Sequence, residues 1–407
     1  MSRKHILLAL GLAAAAFLLV GVAEGQSPIL SPLEELGKAL YFDHNLSDPP
    51  GQACASCHAP EAGFVGPESL VNENTAVYPG AVPTRFGNRR PPTSAYADGG
   101  SLFYDPADGL WIGGTFWDGR ATGWVLGDPL AEQARGPFLN PVEQNLSSPA
   151  AACAVVQTSP YAGMFEQVWG IGSLDCGAGV DATYEKIARS IAAFERSAEV
   201  NPFSSKYDFY LKGEANLTGK EKKGLDLFEG KGMCALCHLN QPGPIGEPPM
   251  FTDFTYDNLG IPKNPMNPFY TMPPWINPDG AAWVDNGLGA FLAGAGYPTE
   301  VYEPEMGKEK VPTLRNVDLR PYNGFVKVYG HNGYFKSLQS IVHFYNTRDV
   351  LPSCGAIKTP KEGANCWPAA EQPMNVNHDE LGNLGLKPHE EEALVEFLKT
   401  LSDGYRP

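Results

Sequence analysis

Apolar residues recur at helical spacing in several short stretches of this chain. One stretch ends in Gly37-Lys-Ala-Leu40-Tyr41-Phe42 and another in Gly224-Leu-Asp-Leu227-Phe228, and their likeness reads as a weak internal repeat. Ile187, Ile191 and Phe194 share one face of a helix expected over Tyr184 to Ser197, which would close the first unit, with Asn201 to Lys212 as the crossover. Two more helical patterns run from Ser337 to Thr347 and from Pro388 to Leu401. The second carries Leu394, Phe397, Leu398 and Leu401 as an apolar stripe and has Pro388 at its start. Between them the stretch from Pro242 to Pro304 is rich in Pro and Gly and lacks a period, so it reads as a long ordered loop. The pattern predicts a mainly α protein with long connections.

At the N-terminus Arg3, Lys4 and His5 precede an apolar run from Ile6 to Val22 and small residues at Ala23 and Gly25. That order is the order of a secretory signal peptide, expected over residues 1–25 with cleavage near Gly25. A retained anchor is the alternative, although the run is short for a bilayer span, which takes about 20 apolar residues. No later segment is apolar enough to span, so no membrane contact is expected after cleavage. The formal net charge of −16 argues against nucleic acid and against anionic membrane surfaces, and would steer a basic partner toward the chain.

The cysteines carry the first chemistry. Cys54-Ala-Ser-Cys57-His58 and Cys234-Ala-Leu-Cys237-His238 repeat the pattern Cys-x-x-Cys-His, the attachment site of a c-type haem. Two thiols bond the porphyrin side chains and the adjoining His then ligates the iron from one face. Paired cysteines also bind zinc or form redox disulfides, but neither explains a histidine following each pair. Two covalently bound haem c groups are therefore expected, in two cytochrome c-like domains over residues 26–205 and 206–407. Export fits this, because c-type haems are attached outside the cytoplasm. The other four cysteines would then meet an oxidising compartment and pair locally, Cys153 with Cys176 and Cys354 with Cys366.

Phe116-Trp117-Asp118-Gly119-Arg120 is followed by the block Glu132-Gln133-Ala134-Arg135-Gly136-Pro137-Phe138-Leu139-Asn140-Pro141-Val142-Glu143, and later by Lys310-Val-Pro-Thr-Leu-Arg315-Asn316 and His331-Asn-Gly. With both attachment motifs, these segments resemble the di-haem cytochrome c peroxidase and MauG family over essentially the whole exported chain. The likeness points to the MauG-like branch and extends to relatives found in methanobactin operons. It implies a peroxide-reactive N-terminal haem whose distal pocket holds Glu143 as acid/base, Gln133 as orienting amide and Pro137. It places Trp117 as the electron relay between the haems. It also implies calcium at Asn88, with partners just before His331, where Phe325-Val-Lys-Val328-Tyr-Gly lacks the family's usual Thr and Pro. An insertion over Thr122 to Asp128 departs from the family and is expected to reshape the pocket mouth. The family's surface tryptophan before the second motif is not matched, since Lys231-Gly232-Met233 stands there.

Histidine bookkeeping separates the two irons without the family. After His58 the next histidine is His238, His44 is expected at the proximal side or surface, and no methionine of the exported chain precedes Met164. The first iron should therefore be open on its distal face. At the second iron, opposite His238, alignment on His331-Asn-Gly puts Tyr345 where the peroxidases carry Met and MauG carries Tyr, with His343 as the rival ligand. A phenolate oxygen there would favour the oxidised metal.

The expected function is that of a periplasmic di-haem peroxidase-like enzyme. It would use hydrogen peroxide to reach a high-valent di-haem state and oxidise a Trp or Tyr side chain of a partner protein at long range. The alternatives are a cytochrome c peroxidase fed by a small cytochrome or copper protein, and a non-enzymatic electron-transfer cytochrome.

Overall fold

The computed structural model describes residues 28–407, so the signal-peptide reading of residues 1–25 lies outside the described residues. Twelve helices account for most of the regular structure: α1 Pro32–Tyr41, α2 Ser69–Asn74, α3 Pro129–Leu139, α4 Pro149–Gln157, α5 Ala162–Trp169, α6 Val180–Arg196, α7 Lys206–Leu211, α8 Gly219–Glu229, α9 Gly287–Gly294, α10 Thr299–Tyr302, α11 Leu338–Thr347 and α12 Pro388–Lys399. The strands are short: β1 Phe103–Asp105 pairs antiparallel with β2 Leu110–Ile112, and β3 Tyr256–Asp257 with β4 Glu309–Lys310. The fold is mainly α. No helix among the described residues is long and apolar enough to cross a membrane.

The internal repeat is a repeated helix pair. Ser31 and Thr218 each open a helix with a reciprocal cap, the hydroxyl accepting from the backbone of Glu34 or Glu221 while that carboxylate accepts from the capping residue's N–H. Each helix then packs at a glycine. A Cβ on Gly37 of α1 would lie 1.9 Å from the Ser190 carbonyl of α6, and one on Gly224 of α8 would lie 2.0 Å from the Ala393 carbonyl of α12. The two helix pairs cross too closely for any side chain at these points. Four residues separate the end of α8 from the second Cys-x-x-Cys-His turn, and twelve separate the end of α1 from the first.

Two large buried clusters surround these pairs. Leu36, Leu40, Phe138, Phe165, Ile187, Ile191 and Phe194 belong to the first, and Tyr207, Leu227, Phe228, Phe251, Leu394 and Phe397 to the second. Buried charge joins them: Arg315 donates to both oxygens of Asp208 at 2.8 and 3.0 Å, and its guanidinium lies over the rings of Tyr96 and Phe203.

Four expectations about elements need correction. The helix expected from Tyr184 begins earlier, at Val180, and Ser197 is its C-terminal cap in extended conformation. The expected crossover Asn201 to Lys212 contains α7, because Ser205 and Asp208 cap each other and nucleate a turn. The expected loop Pro242 to Pro304 holds β3, α9 and α10. Leu288 and Leu292 form a buried helical stripe in α9 that its glycines obscure in the sequence. The insertion Thr122 to Asp128 does not line the central cavity. The local cysteine pairings are present, Cys153 with Cys176 and Cys354 with Cys366.

Candidate active site

One continuous cavity of ≈ 420 Å³ is lined by residues of both Cys-x-x-Cys-His turns. Cys54, Cys57, Cys234 and Cys237 are unpaired and partly buried at its walls. His58 and His238 are fixed alike: Nδ1 of His58 bonds the Phe64 carbonyl at 3.3 Å, and Nδ1 of His238 bonds the Phe251 carbonyl at 2.9 Å. A donor bond at Nδ1 sets the tautomer that leaves Nε2 unprotonated as a metal ligand. Burial lowers both imidazole pKa values, that of His58 to about 4, so the neutral form prevails. Phe64 and Phe251 adopt φ values of 58° and 54°, a left-handed conformation rare for a bulky residue, which turns each carbonyl toward its histidine. Sequence reasoning missed both phenylalanines because they follow their motifs at unequal distances. Four free thiols, two oriented imidazoles and a shared cavity fit two covalently attached haems.

The walls beside the two turns differ. Near the first, the cavity is lined by Gln133 and Pro137 from α3, by Glu143 and Gln144 from the turn after it, and by Phe116, Trp117 and Arg120. Pro137 sits inside α3, where it supplies no N–H, and its own carbonyl accepts from Asn140 and Gln144, folding the chain so that Glu143 faces back toward α3. Burial raises the Glu143 pKa, with the Arg120 guanidinium and Asn140 opposing. Gln144 is buried with neither side-chain polar atom bonded, a second amide on this wall that the motif pattern did not single out. His44 is exposed and bonds Gly51. The cavity-lining histidines and methionine are His58, His238, His331 and Met233.

Near the second turn, Leu338, Ile341, Val342 and Tyr345 form one stripe of α11 against the cavity. Burial raises the Tyr345 pKa, with Asp257, Cys234 and Cys237 adding to it, which reflects a phenol set close to the second attachment cysteines. His343 lies on another face of α11, does not line the cavity, and bonds Glu391 at 2.9 and 3.1 Å.

Trp117, also on the cavity wall, is 5% exposed, donates Nε1 to the Arg90 carbonyl at 3.0 Å and lies 6.5 Å, centroid to centroid, from the His331 ring. Arg89 binds Asp285 through two bonds and also meets Asp118 and Glu309. Against burial, which would raise it, Arg89 holds the Asp285 pKa well below the usual range, while burial pushes Glu309 well up. Asn88 lines the cavity and its carbonyl accepts from Asn267. The calcium partners expected before His331 are otherwise engaged. The Val326 carbonyl accepts from Asn72, and Lys327 drives its ammonium into the carbonyls of Ala62, Asn316 and Leu319. These residues do not fit a calcium ion at Asn88.

A mainly α fold with two haem-attachment turns on one cavity, and a carboxylate-amide wall beside the first, defines a di-haem c-type oxidoreductase. A model of the di-haem cytochrome c peroxidase family matches residues 31–216. The methylamine utilization protein MauG of Paracoccus denitrificans is 35% identical over 386 residues, 94% of this chain and 92% of that protein. Cytochrome-c peroxidase IdrP2 of Denitromonas iodatirespirans is 28% identical over 374 residues, 90% of this chain and 81% of that protein. Among solved structures, the diheme peroxidase BthA of Burkholderia thailandensis superposes with a TM-score of 0.73 at 29% identity, covering 93% of this chain and 87% of that one. The chain belongs to the di-haem cytochrome c peroxidase family, with MauG among its relatives, and is an oxidoreductase of the peroxidase type. Family membership implies two haem c groups, a peroxide substrate and a protein partner.

Proposed function

We propose that this protein uses peroxide to oxidise a side chain of a partner protein at long range, in the periplasm, with its two units taken as residues 26–205 and 206–407. The bound haems supply the oxidising centre, at which one peroxide and two protons become two waters as two electrons arrive. The chain's residues do the positioning. Glu143 takes a proton from the peroxide oxygen nearest it and returns it to the departing oxygen; its raised pKa suits a group that must both accept and donate. Gln133 donates its amide N–H to the peroxide, and Pro137 shapes the wall beneath it. Trp117, held by the Arg90 carbonyl, conducts electrons between the units.

The single observation that carries this reading is the asymmetry of the cavity. A carboxylate and two amides line the cavity with the first attachment turn, while Tyr345 of α11 lines it near the second attachment cysteines, where it would supply an oxygen ligand to the second haem. An oxygen ligand favours the oxidised metal, which suits storage of oxidising equivalents better than rapid reduction by a small donor. In place of a calcium at Asn88, we read Arg89, held charged by Asp285, Glu309 and Asp118, as the fixed positive charge of this region. A second reading, peroxide reduction fed by a small cytochrome, draws on the relatives named as cytochrome-c peroxidases. The discriminating experiment replaces Tyr345 with Phe and records the low-spin signal of the second haem. Loss of that signal supports the first reading, and an unaltered signal removes Tyr345 as a ligand and favours the second.

A further inference from the structure

The loop Thr122 to Asp128 carries an exposed tryptophan, Trp124, and a chain of aromatic rings and backbone contacts leads from it inward to Trp117. The backbone N–H of Lys310 donates to the Trp117 carbonyl at 2.7 Å, and Lys310 pairs with Tyr256 across β3 and β4. Tyr256 donates its hydroxyl to the Gly113 carbonyl at 2.6 Å and shares one buried cluster with Trp111. From Trp111 the path is ring against ring. Tyr297 meets it edge-on with centroids 5.6 Å apart, and Trp124 lies 6.4 Å beyond Tyr297. Trp124 is 48% exposed.

The electrostatics fall in the same direction. Arg90 lies 4.9 Å over the Trp117 ring, so positive charge on that indole is disfavoured and Trp117 serves as a conductor rather than a resting place. At the other end the Glu132 carboxylate accepts from the backbone N–H groups of Gly123, Val125 and Leu126, which sets a negative charge beside Trp124 and favours an oxidised indole there. The Trp124 N–H donates to the Leu102 carbonyl at 2.7 Å, so the indole keeps its proton when it loses an electron. Trp275, more exposed at 62%, meets Arg85 and joins no aromatic pair among the described residues.

We propose that Trp111, Tyr297 and Trp124 form the route by which electrons enter from the partner, with Trp124 as the entry point; this rests on the reading that the protein oxidises a partner at long range. Each passage moves one electron. Trp124 gives one inward through Tyr297 and Trp111 to Trp117, and regains one from the partner side chain, which is thereby oxidised. Two passages, with two protons, match the reduction of one peroxide to two waters.

The test adds peroxide to the haem-loaded protein without partner and maps oxygen addition to side chains by peptide mass spectrometry, then repeats it on Trp124→Phe and on Trp275→Phe. The route predicts modification concentrated at Trp124, lost in Trp124→Phe, unchanged in Trp275→Phe, and a severalfold fall in partner oxidation confined to Trp124→Phe. Modification centred on Trp275 or Trp283, or partner oxidation by Trp124→Phe equal to wild type, overturns the route while leaving long-range oxidation standing. A wild-type protein that leaves every partner unmodified while still consuming peroxide overturns the reading beneath it.

Discussion

Phe64 and Phe251 show how much of a site can rest on residues that carry no chemistry of their own. Each holds a backbone conformation that costs about 1 kcal/mol or more and spends it on aiming one carbonyl at a ligand histidine. Replacing Phe251 with Gly would remove the strain and the packing together; the expected result is a broadened second-haem spectrum with attachment intact, read by absorption. Glu143 is the residue on which the chemistry turns. Glu143→Gln should lower peroxide turnover by about 10²–10⁴-fold, with both haem spectra retained, in steady-state assays. Glu195 offers a pH test of the first unit. It is buried with Oε2 unbonded, and burial, opposed by Arg196, raises its pKa to about 8. The folded state then keeps a proton that the unfolded chain releases near about pH 4.3, so stability is full below that value and falls by about 1.4 kcal/mol per pH unit until about pH 8. Glu195→Gln should flatten that decline in denaturant titrations, and a decline of the same slope in the variant would contradict the assignment.

Helices were the most legible level of the sequence. Their apolar stripes and Pro388 declare themselves locally, because amphipathicity and a proline at a helix start are short-range. The repeated Gly37 and Gly224 were visible as a pattern, yet their reason was not, since it lies in the carbonyls of partner helices α6 and α12 far along the chain. The same limit hid α9, whose glycines weaken the helical pattern and whose burial depends on strands elsewhere. Gly224→Ala provides the test at this scale. In a free helix the change would gain about 1 kcal/mol, but a Cβ 2.0 Å from the Ala393 carbonyl forces the helices apart, so a net loss of about 1–3 kcal/mol is expected by chemical denaturation. A stabilised variant would mean that the crossing is looser than described. Of the candidate site, the attachment cysteines and histidines and the cavity-lining Gln133, Pro137 and Glu143 were readable from motifs. The seating of His343 on Glu391, the Lys327 cradle and the unbonded Gln144 were not, because each depends on which way a helix or turn faces.

At the scale of the whole molecule, the Arg315 guanidinium, buried against Asp208, lies over the Tyr96 and Phe203 rings and so ties the two buried clusters together. The Arg315–Asp208 pair is 1% exposed on both sides, and breaking it by Asp208→Asn leaves a guanidinium buried without its partner. A loss of about 3–5 kcal/mol is expected. Against burial, Arg315 lowers the Asp208 pKa, so the pair's contribution is present above the ordinary carboxylate pKa and is lost as pH falls through the lowered one. The surroundings of the two attachment turns differ, and that difference is the central claim: we propose that the first haem would be open beside Glu143 and that Tyr345 would supply an oxygen ligand to the second. Stopped-flow spectroscopy of the fully oxidised protein mixed with one equivalent of hydrogen peroxide tests it most directly. The account predicts prompt reaction without added reductant, with the ferric signals of both haems lost together. Reaction only after one haem has first been reduced would contradict it.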